Sequence, residues 1–375
     1  MSSSSDIRAE DLGGWLADRF RSSVPIKVGE LESPKSGFSN ETFFFRASSD
    51  GGRAEADAEN RYVLRRAGAG QAIYPVQKSA VPSSIETQCR VLCGLAEAGF
   101  RLAPEVIASE PSDTPLGRPF FVMKFIEGRV LPDFPSYVEA GFFKDQASPT
   151  VRRNHIETGL AAMAGVHRLD WRRAGLGWLD RGSESVSESE SEAESGSRMK
   201  TQLELWWSYV ESISACRENA LIERSLRWLE QERPSESAPA LSWGDSRIQN
   251  MIFDEKGTCQ SIVDWEGAAI LPPEVDLAWW LGVDHFVHEG SGVERLPGEL
   301  TQPEQISWYE AQLGRSVRDL PYYRVFAAFR TVALMISTYD RLEAMGISDA
   351  GSAVDNPYEP LLAEVLDLAK ERGAG

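Results

Sequence analysis

Residues 241–265 read LSWGDSRIQNMIFDEKGTCQSIVDW, and this stretch decides which fold the chain adopts. Two short apolar runs, at 251–253 and 261–265, are separated by a Lys-Gly turn. Short apolar runs around a turn of this kind predict a β-hairpin. The polar residues of the stretch lie at the ends of those strands.

Three side chains with oxygen donors occupy these strand ends: Asp245, Asn250 and Asp264. A loop at a strand end can present ligands on a rigid support. Mg²⁺ prefers such hard oxygen ligands, usually one or two carboxylates completed by water and substrate phosphates. Phosphoryl transfer also needs a carboxylate that accepts the proton of the attacking hydroxyl. Three groups are enough for both tasks, so the stretch indicates a phosphoryl-transfer site.

The length and composition are those of a globular protein with two lobes. The chain has 375 residues, more than one hydrophobic core usually serves. It is 42% hydrophobic, 26% charged and 10% aromatic, which excludes wholesale disorder. The formal charge of −18 repels phosphate backbones and anionic lipids. We therefore expect neither nucleic acid nor a membrane as a partner.

The chain start, MSSSSDIRAEDLGGWL, lacks a basic region followed by an apolar one, so no secretory signal is expected. The most apolar stretch, 325–337, is interrupted by Arg330 and is too short to span a bilayer. The expected location is cytoplasmic.

The order of elements predicts an α+β protein with strands first and helices later. Aromatic and β-branched runs at 40–47 and 61–66 predict a hairpin, and a helical face follows at 85–96. A further strand is predicted at 119–126. From about residue 150 the pattern is mostly helical, including a long run at 322–345.

Residues 182–197 contain seven Ser and five Glu in sixteen positions. Such a segment buries too little apolar surface to offset its ordering entropy. We interpret it as a disordered or solvated linker; a tail that binds basic ligands is the alternative.

The motif W-G-D-S-R-I-Q-N followed by I-V-D-W-E resembles the H-G-D-x-x-x-x-N and D-W-E signatures of the aminoglycoside phosphotransferase family. The resemblance implies a bilobal protein-kinase-like fold, with a small β-rich N-terminal lobe and a larger, mainly helical C-terminal lobe. It also implies that Asp245 is the catalytic base and that Asn250 and Asp264 hold Mg²⁺. The sequence E-V-D-L-A-W-W resembles a helix of the family in which Asp276 would brace the catalytic loop.

Upstream motifs agree in order with this resemblance. The sequence S-G-F-S-N-E-T resembles the family's hairpin over the ATP phosphates, which implies that Ser39 and Asn40 bind nucleotide. Alone, such small polar residues are more often just a turn. Arg65 takes the place of the phosphate-binding lysine of kinases, and a guanidinium can clamp two phosphate oxygens. The alternative for Arg65 is a solvated strand end.

The sequence F-V-M-K-F-I-E-G resembles the hinge between the lobes. The resemblance implies that Met123 lies behind the adenine and that the backbones of Lys124 and Ile126 bind its edge. An isolated apolar strand would otherwise be plain core. The predicted division is a nucleotide-binding lobe at 1–126 and a helical catalytic and substrate lobe at 127–375.

Two positions depart from the family pattern. Trp243 stands where the family has His, and its indole can donate one hydrogen bond but accept none. The helix glutamate that would pair with Arg65 aligns best with Gln88, while Glu86 lies on the other side of the apolar stripe. A neutral Gln88 leaves Arg65 without an ion pair unless another carboxylate reaches it.

The resemblance implies an enzyme that moves the γ-phosphoryl group of ATP to a hydroxyl of a small molecule, with ATP and Mg²⁺ as cofactors. The second hypothesis is a nucleotide-binding pseudokinase, which the two departures favour. The missing D-F-G and A-P-E motifs disfavour a protein kinase. The acceptor is open: spaced glutamates between 289 and 310 are compatible with a cationic molecule, but such a pattern is usually a solvated face. The sequence does not indicate an oligomeric state.

Overall fold

A computed structural model describes most of the chain. The described residues are 7–22, 25–34, 40–48, 61–68, 70, 73–77, 81, 83–113, 115–181, 197–213, 219–344 and 356–373.

The N-terminal lobe is built on a five-stranded antiparallel sheet with the strand order β1-β2-β3-β5-β4. Side chains alternate across a strand, so neighbouring residues serve opposite faces. Leu64 packs with helix α1 (Ala9–Arg19) on one face, whereas Val63 packs with helix α2 (Ser84–Glu97) on the other. The strands are β1 (Lys27–Val28), β2 (Glu41–Ser48), β3 (Arg61–Arg66), β4 (Val106–Glu110) and β5 (Phe120–Lys124).

The C-terminal lobe is mainly helical. Its longest helix buries mainly apolar side chains, with Arg330 among them, and the second core of the molecule unites this helix with four others. The helices are α3 (Phe142–Asp145), α4 (Pro149–His167), α5 (Arg198–Ser212), α6 (Ala220–Gln231), α7 (Glu274–Val287), α8 (Gln302–Leu313), α9 (Leu320–Ala344) and α10 (Glu359–Gly373).

Two short antiparallel strand pairs in this lobe support the stretch on which the sequence analysis depends. Strand β6 (Ala240–Ser242) pairs with β9 (Ala269–Leu271), and β7 (Met251–Phe253) pairs with β8 (Cys259–Ile262). A 3-10 turn, Ile248–Asn250, leads into β7. The loops at 243–250 and 263–268 therefore leave the same rigid support.

The two lobes share a continuous core. Val63 and Met123 of the sheet belong to one buried cluster with Met251 and Phe253 of the second hairpin. Arg129, which follows strand β5 in the chain, pairs with strand β7: its N–H donates to the Phe253 carbonyl at 2.7 Å, and its carbonyl accepts from the Phe253 N–H at 2.9 Å. The segment after β5 is thus bonded directly to the strand that follows the loop at 243–250.

The observed architecture, a small β-rich N-terminal lobe and a larger, mainly helical C-terminal lobe, agrees with the predicted α+β class. The predicted hairpin, the first long helix and the catalytic hairpin all form at the expected places. The sequence analysis did not identify α1, β4 or the β6–β9 pair. A lobe division after residue 126 stays a prediction. In the described part of the chain, every helix is too short or too polar to cross a membrane.

Residues 182–196 of the predicted linker lie outside the described residues. Ser197, its last predicted residue, instead caps helix α5: its Oγ accepts from the Lys200 N–H at 3.1 Å and donates to Glu236 at 2.6 Å. A serine before a helix satisfies an otherwise unpaired N–H group. The predicted linker was therefore one residue too long at this end.

Candidate active site

Asp245 follows strand β6 and is almost completely buried, with 8% of its surface exposed. Its Oδ1 accepts from the indole Nε1 of Trp279 at 3.0 Å, and its Oδ2 accepts from Asn250 Nδ2 at 2.8 Å. Arg247 adds a longer contact to Oδ2, at 3.3 Å. Donors on both oxygens fix the carboxylate in one orientation.

Asn250 and Asp264 are brought together by the β7–β8 hairpin. Asn250 directly precedes β7, and its carbonyl accepts from the Val263 N–H at 3.0 Å. Asp264 follows with a φ of 64°, in the left-handed region that non-glycine residues seldom adopt. Such strain persists where the surroundings impose it, often at functional sites.

The electrostatics of Asp264 favour a bound cation. Burial raises the pKa of the Asp264 carboxyl, the nearby Arg65 lowers it, and the negative charge of Asp245 raises it again, so that it lies above its ordinary value. Two carboxylates close together in a buried site repel each other. A divalent cation held by Asp264 would offset both the cost of burial and this repulsion.

The donor set fits Mg²⁺. Asn250 uses Nδ2 for Asp245, and no hydrogen bond from the described residues reaches its Oδ1. Among the residues that the structure describes, a hydrogen bond reaches Oδ1 of the Asp264 carboxylate but not Oδ2, so that Oδ2 is available to bind a ligand. No group of three or more His, Cys, Asp or Glu residues that could hold a metal occurs in the described part. Few protein ligands are what Mg²⁺ takes when substrate phosphates and water complete its shell.

Trp243 acts as a hydrogen-bond donor to the loop at 263–268. Its indole Nε1 donates to the carbonyls of Val263 and Asp264, at 2.9 and 3.2 Å. The side chain is fully buried, and its ring lies 6.1 Å from that of Trp265. The loop that carries Asp264 is therefore held by the residue two positions before Asp245.

Asp276 braces the start of the catalytic loop. Its carboxylate accepts from the backbone N–H groups of Trp243 at 2.6 Å and Gly244 at 3.0 Å, and from Ser242 Oγ at 2.9 Å. His167 contacts the same carboxylate through Nε2 at 2.9 Å. These contacts support the structural role expected for Asp276, and His167 itself is buried.

Arg65 has the carboxylate partner that Gln88 cannot supply. Its Nη2 lies 3.2 Å from Asp264 Oδ1 and donates to Gln88 Oε1 at the same distance, 3.2 Å. Its Nη1 donates to Thr42 Oγ1 at 2.9 Å. The guanidinium therefore has partners in both lobes, and the residue is not a solvated strand end.

Asn40, the fifth residue of the S-G-F-S-N-E-T sequence, contacts the D-W-E motif through Glu266. Its Nδ2 donates to Glu266 Oε2 at 2.9 Å, and its Oδ1 accepts from Ser84 Oγ at 3.1 Å. The side chain is buried, with 8% of the residue exposed. Ser39, the other predicted nucleotide contact in this motif, lies outside the described residues.

The predicted hinge residues end strand β5. Met123 is buried in the core that spans both lobes. The Lys124 N–H already donates to the Glu105 carbonyl at 2.9 Å, so a base edge could use only the Lys124 carbonyl. Ile126 is partly buried just beyond the strand. Of the two backbone groups of Lys124 that were expected to bind the adenine edge, only the carbonyl oxygen therefore remains a candidate.

Several residues around Asp245 were missed by sequence reasoning. Trp279 belongs to the buried core and also donates to the Asp245 carboxylate. Arg247 joins Asp245 to Asp133 through an ion pair of 2.5 Å. Arg330 donates to the Gly244 carbonyl at 2.9 Å. Only Arg330, a cation inside an apolar run, carried a signal that the sequence could have provided.

Comparison with known families gives an independent result. The model of the phosphotransferase enzyme family matches residues 30–319, which include Asp245, Asn250, Asp264, Arg65 and Asn40 but not Arg330.

The curated relatives bear the names of larger proteins. The chain is 26% identical, over 85% of its length, to a protein of Arabidopsis thaliana named probable acyl-CoA dehydrogenase IBR3, and covers 37% of it. It is 24% identical, over 90% of its length, to acyl-CoA dehydrogenase family member 10 of Mus musculus, and covers 29% of it. The chain thus spans about a third of the length of these relatives.

Solved structures share the fold at low identity. A putative aminoglycoside phosphotransferase from Ralstonia eutropha superposes with a TM-score of 0.68 at 21% identity, covering 97% of this chain and 98% of the other. A thermostable aminoglycoside phosphotransferase, solved in ternary complex with AMP-PNP and hygromycin B, gives a TM-score of 0.52 at 14% identity, with 96% and 98% covered.

Proposed function

Since the chain belongs to the phosphotransferase enzyme family, we propose that it transfers the γ-phosphoryl group of ATP to a hydroxyl of a small molecule, with Mg²⁺. One observation carries the proposal: Asp245, Asn250 and Asp264 meet at one end of the β7–β8 hairpin, where the N-terminal lobe contributes Arg65. Nucleotide use is supported by a neighbour of the same fold that was solved with AMP-PNP.

Asp245 is the proposed base. Its carboxylate accepts the proton of the acceptor hydroxyl as the oxygen of that hydroxyl forms a bond to the γ-phosphorus and the bond to the β-phosphate oxygen breaks. Trp279 and Asn250 hold the carboxylate from its two oxygens, so the base is oriented before the acceptor arrives. Positioning of this kind supplies most of the rate gain that a phosphoryl-transfer enzyme can obtain.

Asn250 and Asp264 are the proposed ligands of Mg²⁺, which when bound offsets negative charge on the phosphates. Arg65 binds the α- and β-phosphate oxygens, and its planar guanidinium can make two parallel hydrogen bonds to them. For this, Arg65 exchanges its contact with Asp264 for the phosphates. Its remaining partners, Thr42 and Gln88, are neutral and do not compete with the nucleotide for the charge.

The remaining nucleotide contacts come from the N-terminal lobe. Ser39 and Asn40 cover the phosphates in our proposal. The hydrogen bond from Asn40 to Glu266 keeps this segment close to the loop that carries Asp264. Met123 forms the back of the adenine pocket. The Lys124 carbonyl and the Ile126 N–H bind the adenine edge.

The pseudokinase alternative rested on Trp243 and Gln88. Trp243 still donates to the loop that carries Asp264, and Asp264 gives Arg65 its ion pair. Trp243 and Gln88 therefore leave neither the Asp264 loop nor the unliganded Arg65 without partners, which favours the enzyme over the binding module.

The acceptor is a small molecule whose charge the five spaced glutamates do not define. Four of them are engaged by their own lobe: Glu304 caps α8, Glu289 pairs with Arg295, Glu299 with His288, and Glu310 accepts from the Val317 N–H. The suggestion of a cationic acceptor thus loses its main support. A test panel should include aminoglycosides, amino alcohols and, because of the names of the curated relatives, hydroxyacyl-CoA compounds.

Two substitutions separate chemistry from binding. We expect Asp245→Asn to bind Mg·ATP like the wild type but to lose at least about 100-fold in turnover, since the amide cannot accept the proton. We expect Asp264→Ala to lose metal-dependent ATP binding, measured by calorimetry with and without Mg²⁺. Asp170→Asn, at an exposed turn far from the cleft, is the control.

Three results would contradict the proposal. Unchanged Mg·ATP affinity in Asp264→Ala would remove this residue from the metal site. Full turnover in Asp245→Asn would remove the base. Tight Mg·ATP binding without turnover on any acceptor of the panel would favour the pseudokinase.

A further inference from the structure

Arg330 is a buried cation that the mechanism above does not use. It lies in helix α9 with 3% of its surface exposed, and burial lowers its pKa below the ordinary arginine value. In the described part of the chain, no carboxylate lies within ion-pair distance of its guanidinium. Its Nε is buried and has no hydrogen-bond partner there. A charge buried in this way is costly to keep.

The surroundings of Arg330 are aromatic. Its Cζ lies 4.7 Å from the ring centre of Trp279, 5.3 Å from that of Trp206 and 5.5 Å from that of Phe326. Cations above such rings are attracted to their negative faces. However, an apolar side chain of similar volume would pack here without any desolvation penalty, so stability alone does not explain a guanidinium.

Two hydrogen bonds connect Arg330 and its aromatic neighbour Trp279 to Asp245 or to the peptide before it. Arg330 Nη2 donates to the Gly244 carbonyl at 2.9 Å, which belongs to the peptide unit that precedes Asp245. The ring over which it lies, Trp279, donates from Nε1 to the Asp245 carboxylate at 3.0 Å. One buried cation thus holds the backbone of Asp245 and the indole that orients its side chain.

The backbone of Gly244 is also restrained by contacts other than the bond to Arg330. Its φ is 92°, and a Cβ there would lie 2.1 Å from the Gly267 carbonyl. Its N–H is taken by Asp276. Arg330 binds the other backbone polar group of Gly244, its carbonyl. Together with the bond from the N–H to Asp276, this fixes the turn that orients Asp245.

We propose that Arg330 is a positioning residue that, with Trp279, holds the Asp245 carboxylate in the orientation needed to accept the hydroxyl proton, which rests on the proposed function. Arg330 does not touch the nucleotide or the acceptor. It acts through the Gly244 carbonyl and through the indole of Trp279.

The kinetic test uses Arg330→Met and Arg330→Lys. A misplacement of a catalytic group by about 1 Å can cost about 100-fold in rate. We expect Arg330→Met to lower kcat by about 10- to 100-fold with an unchanged KM for ATP, and Arg330→Lys, which keeps the charge, to recover most of this loss. The control is Arg324→Met on the same helix, whose Nη2 donates to Gln302 Oε1 at 2.7 Å; it should retain turnover.

A second test needs neither ATP nor an acceptor. The indole N–H of Trp279 is assigned by Trp279→Phe in protein labelled with ¹⁵N-tryptophan, and its hydrogen exchange is compared with that of Trp265, which donates to the Ile262 carbonyl at 3.2 Å. In Arg330→Met, exchange should rise about tenfold or more at Trp279 and stay unchanged at Trp265, because only the bond to Asp245 is loosened.

The outcomes separate this proposal from the proposed function. Equal acceleration at both indoles, together with a lower Tm, would show a merely structural role and overturn the proposal. So would unchanged Trp279 exchange, or Arg330→Lys as slow as Arg330→Met. If Arg330→Met does not fold, Arg330→Gln replaces it and is judged against Arg330→Lys in the same way. A wild type that turns over no acceptor overturns the proposed function but leaves the exchange result readable.

Discussion

Trp243 and Asp264 are joined by a hydrogen bond of 3.2 Å from the indole Nε1 to the backbone carbonyl. Because Asp245 lies two residues after Trp243, this bond ties the loop of the proposed base to the loop of the proposed metal ligand. Trp243, at the position where the family pattern has His, thus connects the two loops through its indole.

Trp243→Phe should weaken this connection. The ring would keep most of the packing, but the carbonyls of Val263 and Asp264 would lose their donor. An unsatisfied buried polar group costs about 1–3 kcal/mol, so we expect a loss of this size in the free energy of unfolding, measured with denaturant. Mg·ATP affinity should fall as well. The same stability as the wild type would show that water or another donor serves these carbonyls.

Arg65→Met tests the cation of the cleft. Charge-assisted hydrogen bonds contribute about 1.5–3 kcal/mol, which corresponds to about a 10- to 100-fold loss of ATP affinity by calorimetry. Arg90→Met is the matched control in the same lobe, because Arg90 stacks over Trp178 at 4.1 Å, on the side of α2 away from Arg65. Equal affinity losses in both variants would contradict a phosphate contact at Arg65.

The sequence predicted the parts of the site that are local. Asp245, Asn250 and Asp264 are held by one hairpin within 25 residues, so their spacing and the turn between the strands were enough to group them. The kinase-like fold was implied by the resemblance of the same stretch to the phosphotransferase family. The linker was predicted from composition alone. Its end was misplaced because serine is common both in polar tracts and at helix N-caps, so composition does not show that Ser197 caps helix α5.

The missed features depend on contacts between distant segments. Trp279 reads as core because its indole is one of many in an apolar helix, and only packing shows that its N–H meets Asp245. The ion pair of Arg65 with Asp264 joins residues that are 199 positions apart. Helix α1 contains two consecutive glycines, which weaken its helical signal, and its position comes from packing on the sheet.

Asp276→Asn should destabilise the catalytic loop. Burial raises the pKa of the Asp276 carboxyl, but His167 and the N–H groups of Gly244 and Trp243 lower it below its ordinary value. Its stabilising contribution is therefore present above the unfolded pKa of about 3.9 and is lost as the pH falls through the folded pKa. Removing one partner of a buried pair costs about 3–5 kcal/mol, which thermal unfolding at pH 7 should reveal.

A matched comparison follows in acid. Below pH 4 the difference in Tm between the wild type and Asp276→Asn should narrow, because the wild-type carboxyl becomes protonated. A difference that stays constant down to acid unfolding would show that the charge of Asp276 is not what holds the loop.

His288 gives the opposite pH dependence. Burial acts to lower the pKa of its imidazole, but Glu299, whose Oε1 lies 3.4 Å from Nε2, raises it above the ordinary value. The contribution of this pair to stability is therefore complete below the unfolded pKa of about 6.5 and is lost as the pH rises through the folded pKa. In Glu299→Gln the amide can still accept from the Leu296 N–H, as Glu299 does at 2.6 Å, while the charge is removed. We expect the Tm of the wild type to exceed that of Glu299→Gln most at pH 6 and to approach it as the pH rises above 7, measured by scanning calorimetry in one buffer series. A Tm difference that is independent of pH would mean that His288 stays neutral throughout and that Glu299 acts only through its bond to Leu296.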